Sequence, residues 1–355
     1  MTPTVRTRER GRALSALLYA ALVAVGFFGV SAAIRPLVPW PSEYGLRDKF
    51  EHFEEHCDEY DLLFLGSSRL WRSIIPPRFD EEMALRGVEL RSFNFGVGGM
   101  RVWEMDYVLH RVLELQPKKL KWIVIEGGDW DPDFPSVQNT FASRSVFWHN
   151  LAETRKAIGA SFTADEGLGE RLRLALIHAQ LFLWKTANYG QGRIIVRDVR
   201  GIRAGDFGRE REEGYFVQDQ GFQTQDTLVH PNFRRNLETY KHDVSGIDAA
   251  NAAEVDLDHV YAGAIERQYE AAAELGIELI CIIPPGIEGA PVRLRLHEEG
   301  VIPTLFDFNQ PKLYPDLFRV QARFSPDHLN LNGARELTHV LAKTFSRHLR
   351  GVERD

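Results

Sequence analysis

The stretch Asp61-Leu-Leu-Phe-Leu-Gly66-Ser67-Ser68-Arg69-Leu-Trp71 decides how the chain reads. Its apolar run is short and unbroken, as strands buried on both faces of a parallel sheet are. The run stops at Gly66 and delivers two hydroxyls. A serine there caps the following helix, because its oxygen satisfies an orphan N–H group. A serine where a parallel strand meets a helix also lies on the ligand-binding edge of an open α/β sheet. At that edge the helix N-terminus favours negative charge. The stretch alone is compatible with both roles.

Reading outward, the same strand-then-helix unit recurs. Upstream, Tyr44 to Tyr60 reads as a helix; downstream, Pro76-Pro77 breaks the chain before a short helix from Arg78 to Arg86. Val88 to Phe95 is a second strand that runs into Gly96-Val-Gly98-Gly99. Arg101 to Leu115 carries Val102, Met105, Val108, Leu109 and Val112 on one helical face. Leu120 to Ile125 is a third strand, Ala264 to Leu275 a helix, and Ile277 to Ile283 a fourth strand closed by Pro284-Pro285. Thr304 to Phe308 is a short fifth strand and Leu331 to Leu349 the last helix. Alternation of this kind predicts a three-layer α/β/α domain over residues 61–350, with a mostly parallel five-stranded sheet. Residues 131–262 break the rhythm with aromatic clusters and a polar, glycine-containing stretch. They read as a long insertion, the kind of segment that forms the lid or wall of a site.

The N-terminus carries a second signal. Residues 13–34 (ALSALLYAALVAVGFFGVSAAI) hold no charge, and at 1.5 Å per residue such a helix crosses a hydrocarbon core of about 30 Å. Arg6, Arg8, Arg10 and Arg12 precede it against Glu9 alone, which predicts a cytoplasmic segment at 1–12 and an extracytoplasmic remainder. A cleaved signal peptide is the rival reading, with Val30-Ser31-Ala32 as the place of cleavage. Residues 35–60 then form a stalk, proline-rich and extended from Arg35 to Ser42, followed by the first helix.

Composition narrows the function classes. The chain has 355 residues, 44% of them hydrophobic, so a folded core is expected. The net charge of −7, with no basic stripe beyond the first residues, argues against nucleic acid as a partner. The two cysteines, Cys57 and Cys281, form neither a disulfide framework nor a metal cluster, and Cys281 sits in an apolar run as a core residue would. His52-Phe-Glu-Glu55-His56 fits an inverted zincin pattern, but no third ligand stands out and a charged, solvent-facing helix explains it. Asp129-Trp-Asp131-Pro-Asp133 lacks the glycine and terminal glutamate of a calcium loop and reads as a solvated acidic turn. Asn94-Phe-Gly96-Val-Gly98-Gly99 approaches a dinucleotide fingerprint, but Arg101 stands where its last glycine belongs. No metal and no cofactor are expected.

Four short stretches follow the proposed strands or precede the last helix: Gly66-Ser67-Ser68, Asn94 to Gly99, Glu126-Gly127-Gly128-Asp129, and Ser325-Pro326-Asp327-His328-Leu-Asn330. In a doubly wound sheet all strand C-termini open onto one edge, so residues far apart in sequence meet there. A serine, glycine N–H donors and a late histidine are the parts of an acyl-transfer site.

In this order the stretches resemble the signature blocks of the SGNH (GDSL-like) hydrolase superfamily. More narrowly, they resemble its membrane-anchored bacterial members whose first block reads G-S-S-R. The resemblance spans the core strands and last helix, about half the chain, and implies a flavodoxin-like sheet. It implies Ser68 as nucleophile, Gly99 as an oxyanion donor and His328 as general base. Two positions depart from the pattern. Asp129 occupies the slot of an oxyanion-donating asparagine, and an ionised aspartate cannot donate. The family's triad acid lies three residues before the histidine, where this chain has Ser325; Asp327, next to His328, is the remaining candidate acid. The implied activity is that of a membrane-tethered serine esterase or O-acyltransferase acting on acyl, chiefly acetyl, esters of envelope glycans. Trp103, Trp130, Phe134 and Trp148 are candidates for a sugar-stacking wall, although core packing is the commoner role for any one of them. The alternatives are a catalytically decayed glycan-binding protein and an accessory subunit of a membrane acyltransferase.

Overall fold

Strand β1 (Leu62–Gly66) lies inside a five-stranded sheet with β2 (Ser92–Gly96), β3 (Trp122–Glu126), β4 (Glu278–Ile283) and β5 (Leu305–Asp307). The order is β2-β1-β3-β4-β5 and every pairing is parallel, so the expected mostly parallel sheet is wholly parallel. The computed structural model describes residues 5–128, 133, 137–164, 166–192, 195–196, 218–223, 227–255, 257 and 259–351.

Alternation along each strand divides the core in two. Leu63, Leu65, Phe93, Phe95, Ile123 and Ile125 face one side, against Phe50 and Phe53 of α2 (Leu46–His56), Val108 and Val112 of the α5 helix described next, and the His259–Ala273 helix. Leu62, Phe64, Val124, Ile280, Ile282 and Phe306 face the other, against Phe79 and Met83 and the last helix's Leu337, Leu341 and Phe345. Connecting β1 to β2 are the short α3 (Ser68–Trp71) and α4 (Pro76–Ala84); α5 (Val102–Glu114) connects β2 to β3. Prolines open α4, where a missing N–H costs nothing.

The N-terminal helix α1 (Val5–Ile34) includes an apolar segment long enough to cross a membrane. The segment after it is not the extended stalk expected from its prolines. Arg35–Leu37 is a 3-10 turn, and Trp40 stacks on Phe50 of α2 with ring centroids 3.9 Å apart, which ties the segment to the core. Nor is Tyr44 to Tyr60 one helix: Tyr44 takes φ 53 and Leu46 begins α2. His52 and His56 stack on each other, His52 bonds Tyr60, and α2 buries a face through Leu46, Lys49, Phe50 and Phe53, so the helix is half core rather than solvent-facing.

The insertion is helical wherever it is described as regular. Leu151–Thr163 and Leu168–Thr186 pack as a hairpin, and the Ser143–Trp148 helix lies against α5. Trp103 and Trp148 are both 4% exposed and stack on each other, so they belong to the core and not to a sugar-binding wall. Trp130 and Phe134 lie outside the described residues.

Candidate active site

The two hydroxyls after β1 divide the roles that the sequence left open. Ser67 caps α3: its Oγ accepts from Arg69 N at 3.2 Å. Its own N–H and Oγ donate to Glu126 at 2.7 and 3.0 Å. Ser68 begins α3 and faces a cavity of about 430 Å³ lined also by Tyr44, Arg72, Gly99, His230 and His328. Across that cavity Ser68 Oγ lies 2.8 Å from His328 Nε2, a contact between residues 260 positions apart.

His328 arrives there on a hairpin that the sequence reading did not include. Strands β6 (Arg323–Ser325) and β7 (His328–Leu329) are antiparallel, with Ser325 directly opposite His328. Pro326 and Asp327 form the turn. Facing residues of an antiparallel pair present their side chains on the same side, so Ser325 Oγ comes within 2.9 Å of His328 Nδ1. The group at the second ring nitrogen is therefore a hydroxyl. Asp327, the candidate acid, sits in the turn, and its charge acts on the ring through space only. The Ser-Pro-Asp spacing was itself the available signal, since serine then proline at the first two positions is a β-turn pattern.

The hairpin is fixed from beneath by buried polar groups. Arg323 is fully buried and donates to the carbonyls of Leu317, Pro285 and Pro326 at 2.9, 3.0 and 3.0 Å. Asn330 caps the last helix through Asn332 N and Gly333 N, while its amide donates to the carbonyls of Gln321 and Arg323. Burial, and then the positive charge of Arg72, push His328 down to about 4. The imidazole is thus neutral at pH 7. In the tautomer whose Nδ1–H donates to Ser325 Oγ, Nε2 is left as the acceptor for the Ser68 proton.

Gly99 lies on the same cavity with φ 66, the left-handed region that favours glycine. Among the described residues its N–H meets no backbone carbonyl. The chain matches no family model and no curated sequence. Asp129, in the slot of the expected oxyanion donor, lies outside the described residues, as does Asp131.

Glu126, at the end of β3, opens the third of the four stretches and takes a structural role that the sequence did not indicate. Besides Ser67 it accepts from Arg69 Nε at 2.8 Å and pairs with Arg69 Nη2 at 2.7 Å. The strand order reverses between β1 and β3, where ligand crevices open in such sheets. There Ser67, Glu126 and Arg69 bond one another, and the open cavity is lined by residues that follow β1 and β2. Cys281 is buried and free, and burial pushes its thiol up to about 12, which suits a core residue. Among the described residues, Asp106, His110 and Glu153 are grouped closely enough to hold a cation. The Lys156 ammonium already fills that role, 2.5 Å from Asp106 and 3.1 Å from Glu153.

Proposed function

We propose that the protein is a membrane-tethered serine esterase or O-acyltransferase of SGNH type, acting outside the cytoplasmic membrane on acyl esters of envelope glycans. The observation that carries this reading is the 2.8 Å contact between Ser68 Oγ and His328 Nε2. The strand order, which is the flavodoxin-like one, and the position of both groups at the C-terminal edge of the sheet support it further. The glycan assignment rests on the resemblance of the four blocks and on the apolar N-terminal helix, which supports tethering.

In this mechanism His328 Nε2 takes the Ser68 proton as Oγ attacks the ester carbonyl carbon. The carbonyl oxygen becomes an oxyanion facing the Gly99 N–H and the N–H of Ser68, which as the first residue of α3 has no intrahelical acceptor. Collapse expels the alcohol, which takes the proton back from His328 and leaves an acyl-Ser68 ester. Water or a sugar hydroxyl, deprotonated by the same imidazole, then attacks the acyl carbon and restores Ser68. Hydrolysis and transfer differ only in that acceptor.

The hydroxyl at Nδ1 favours a second reading, a protein that has kept the fold and binds a glycan without turnover, because Ser325 cannot stabilise an imidazolium as a carboxylate does. One experiment separates the two. The full-length protein in detergent is treated with a fluorophosphonate probe; the enzyme reading expects labelling that disappears in Ser68→Ala with the circular dichroism unchanged. No labelling of the wild type, together with saturable glycan binding, decides for the second reading.

A further inference from the structure

We propose that Arg144, from the insertion, is the positioning residue that sets the polarity of the oxyanion turn; this rests on the esterase reading above. Residues Val97 to Met100 form a β-turn closed by Met100 N to Val97 O at 3.1 Å. The positive φ of Gly99, third in the turn, makes it type II. Types I and II differ by a flip of the central peptide, here the one joining Gly98 to Gly99. That peptide is trans and planar, so the Gly98 carbonyl and the Gly99 N–H point in opposite directions. In one orientation the cavity receives a donor. In the other it receives a carbonyl oxygen, which repels a developing oxyanion.

Arg144 selects the first. Its Nη1 donates to Gly98 O at 2.6 Å, while Nε and Nη2 grip Glu104 Oε1 and Oε2 at 2.8 and 2.5 Å. Bidentate pairing fixes the guanidinium plane, and both side chains are at most 10% exposed. The carbonyl is thus held towards Arg144, and the Gly99 N–H is turned the opposite way, on a turn whose two glycines both line the Ser68 cavity. Tyr44 packs against the same turn. A Cβ at Gly98 would fall 2.9 Å from Tyr44 Cδ1, and the Arg144 guanidinium lies over the Tyr44 ring at 5.8 Å.

The test uses the full-length protein in detergent and two independent readouts. A crystal structure of Arg144→Gln is expected to show the central peptide flipped, with Gly99 at negative φ. With p-nitrophenyl acetate, the same variant is expected to lose roughly 100-fold in kcat, as removal of one oxyanion donor does, with KM within about twofold. Arg144→Lys keeps a donor for Gly98 O and should recover part of the loss. Millimolar guanidinium should do the same for Arg144→Ala. If Arg144→Gln proves unstable, Glu104→Gln, which keeps the Gly98 bond but loosens the guanidinium, serves in its place with a smaller loss. An unflipped peptide overturns the proposal whatever the wild-type activity, and where the wild type turns over so does a loss confined to KM. A flipped peptide in a protein whose wild type shows no Ser68-dependent turnover overturns the esterase reading, and the oxyanion role with it.

Discussion

Replacing Ser325 tests the catalytic geometry most directly, because its hydroxyl is the group 2.9 Å from His328 Nδ1. In Ser325→Ala the Nδ1–H loses its acceptor inside a largely buried site. An unsatisfied buried donor costs about 1–3 kcal/mol, and the tautomer with the proton on Nε2, which cannot accept from Ser68, becomes competitive. At 1.36 kcal/mol per decade this predicts a fall of about 5- to 150-fold in the second-order rate of fluorophosphonate labelling. Ser325→Asp does the opposite. It places a carboxylate beside Nδ1, in a position lining the open cavity with room for the longer side chain. An opposite charge this close moves a pKa by about 1–3 units.

The assay is the labelling rate as a function of pH. Wild-type His328 is held down to about 4 by burial and by Arg72, so the rate stays level on acidification until about pH 5 and is halved near pH 4. In Ser325→Asp the acid limb moves up by about 1–3 units. Stability follows the same ion. A free histidine titrates near 6.5, so between pH 6.5 and 4 the unfolded chain takes up a proton that the folded one refuses. Stability is therefore lost as pH falls through that window, by about 3 kcal/mol in all. Ser325→Asp narrows the window and weakens the loss. Wild-type labelling rates in Ser325→Ala, or an acid limb unmoved in Ser325→Asp, would refute the assignment of Ser325 as the group that orients the imidazole.

Three further outcomes are expected. Glu126→Gln removes the charge facing Arg69 while keeping the acceptor for Ser67; it should lower the urea midpoint by an amount equal to about 1–3 kcal/mol, and an unchanged midpoint counts against Glu126 as the tie between β1 and β3. Lys49→Met strips a fully buried amino group, its pKa pushed well down by burial, from the carbonyls of Asn94, Gly96 and Gly221, each left unsatisfied at about 1–3 kcal/mol, so a loss of about 3 kcal/mol or more is expected and a neutral or stabilising result contradicts it. Alkaline phosphatase fused after Arg350 should be active in a bacterial host, with Met1 or Thr2 still present by mass spectrometry if α1 anchors the protein; an inactive fusion rules out the extracytoplasmic placement.

What could be read from the sequence was what one local pattern dictates. Every strand of the sheet was found to within a few residues, because a doubly buried strand is short and mostly apolar. The largest slip, a second strand begun at Val88 instead of Ser92, arose because VEL is apolar enough to extend the run although it lies outside the ladder. The last helix was found to the residue, and the structure adds the Asn330 cap that fixes its start. The partners of the site residues were less legible, because long-range side-chain contacts leave no periodic trace. Glu126, Arg144 and Arg323 look like ordinary surface charges in the sequence, and only the fold shows each turned inward onto a particular turn.

Those three belong to a wider arrangement along the rim of the sheet. Lys49 holds the carbonyls of Asn94 and Gly96, Arg144 that of Gly98, and Arg323 that of Pro326, while Arg69 joins the turn after β1 to the end of β3. Burying a charged group costs several kcal/mol even when it is well paired, and a buried polar set replaced together by apolar residues of similar volume is often as stable or more so, although removing one member alone is costly. Stability alone therefore gives poor reason for three such buried donors, Lys49, Arg144 and Arg323, along one edge of the sheet. What a cation on a carbonyl does supply is direction: it fixes which way a peptide plane faces, and with it the opposite N–H or the side chain carried alongside. The turns held this way carry Gly99 and His328, while Arg69 on the Glu126 carboxylate ties down the turn that carries Ser68, so the desolvation cost is spent on orienting the groups of the candidate site. It follows that apolar replacements at these positions should separate two effects that usually travel together, leaving a folded domain in which the 2.8 Å contact between Ser68 and His328 is no longer held.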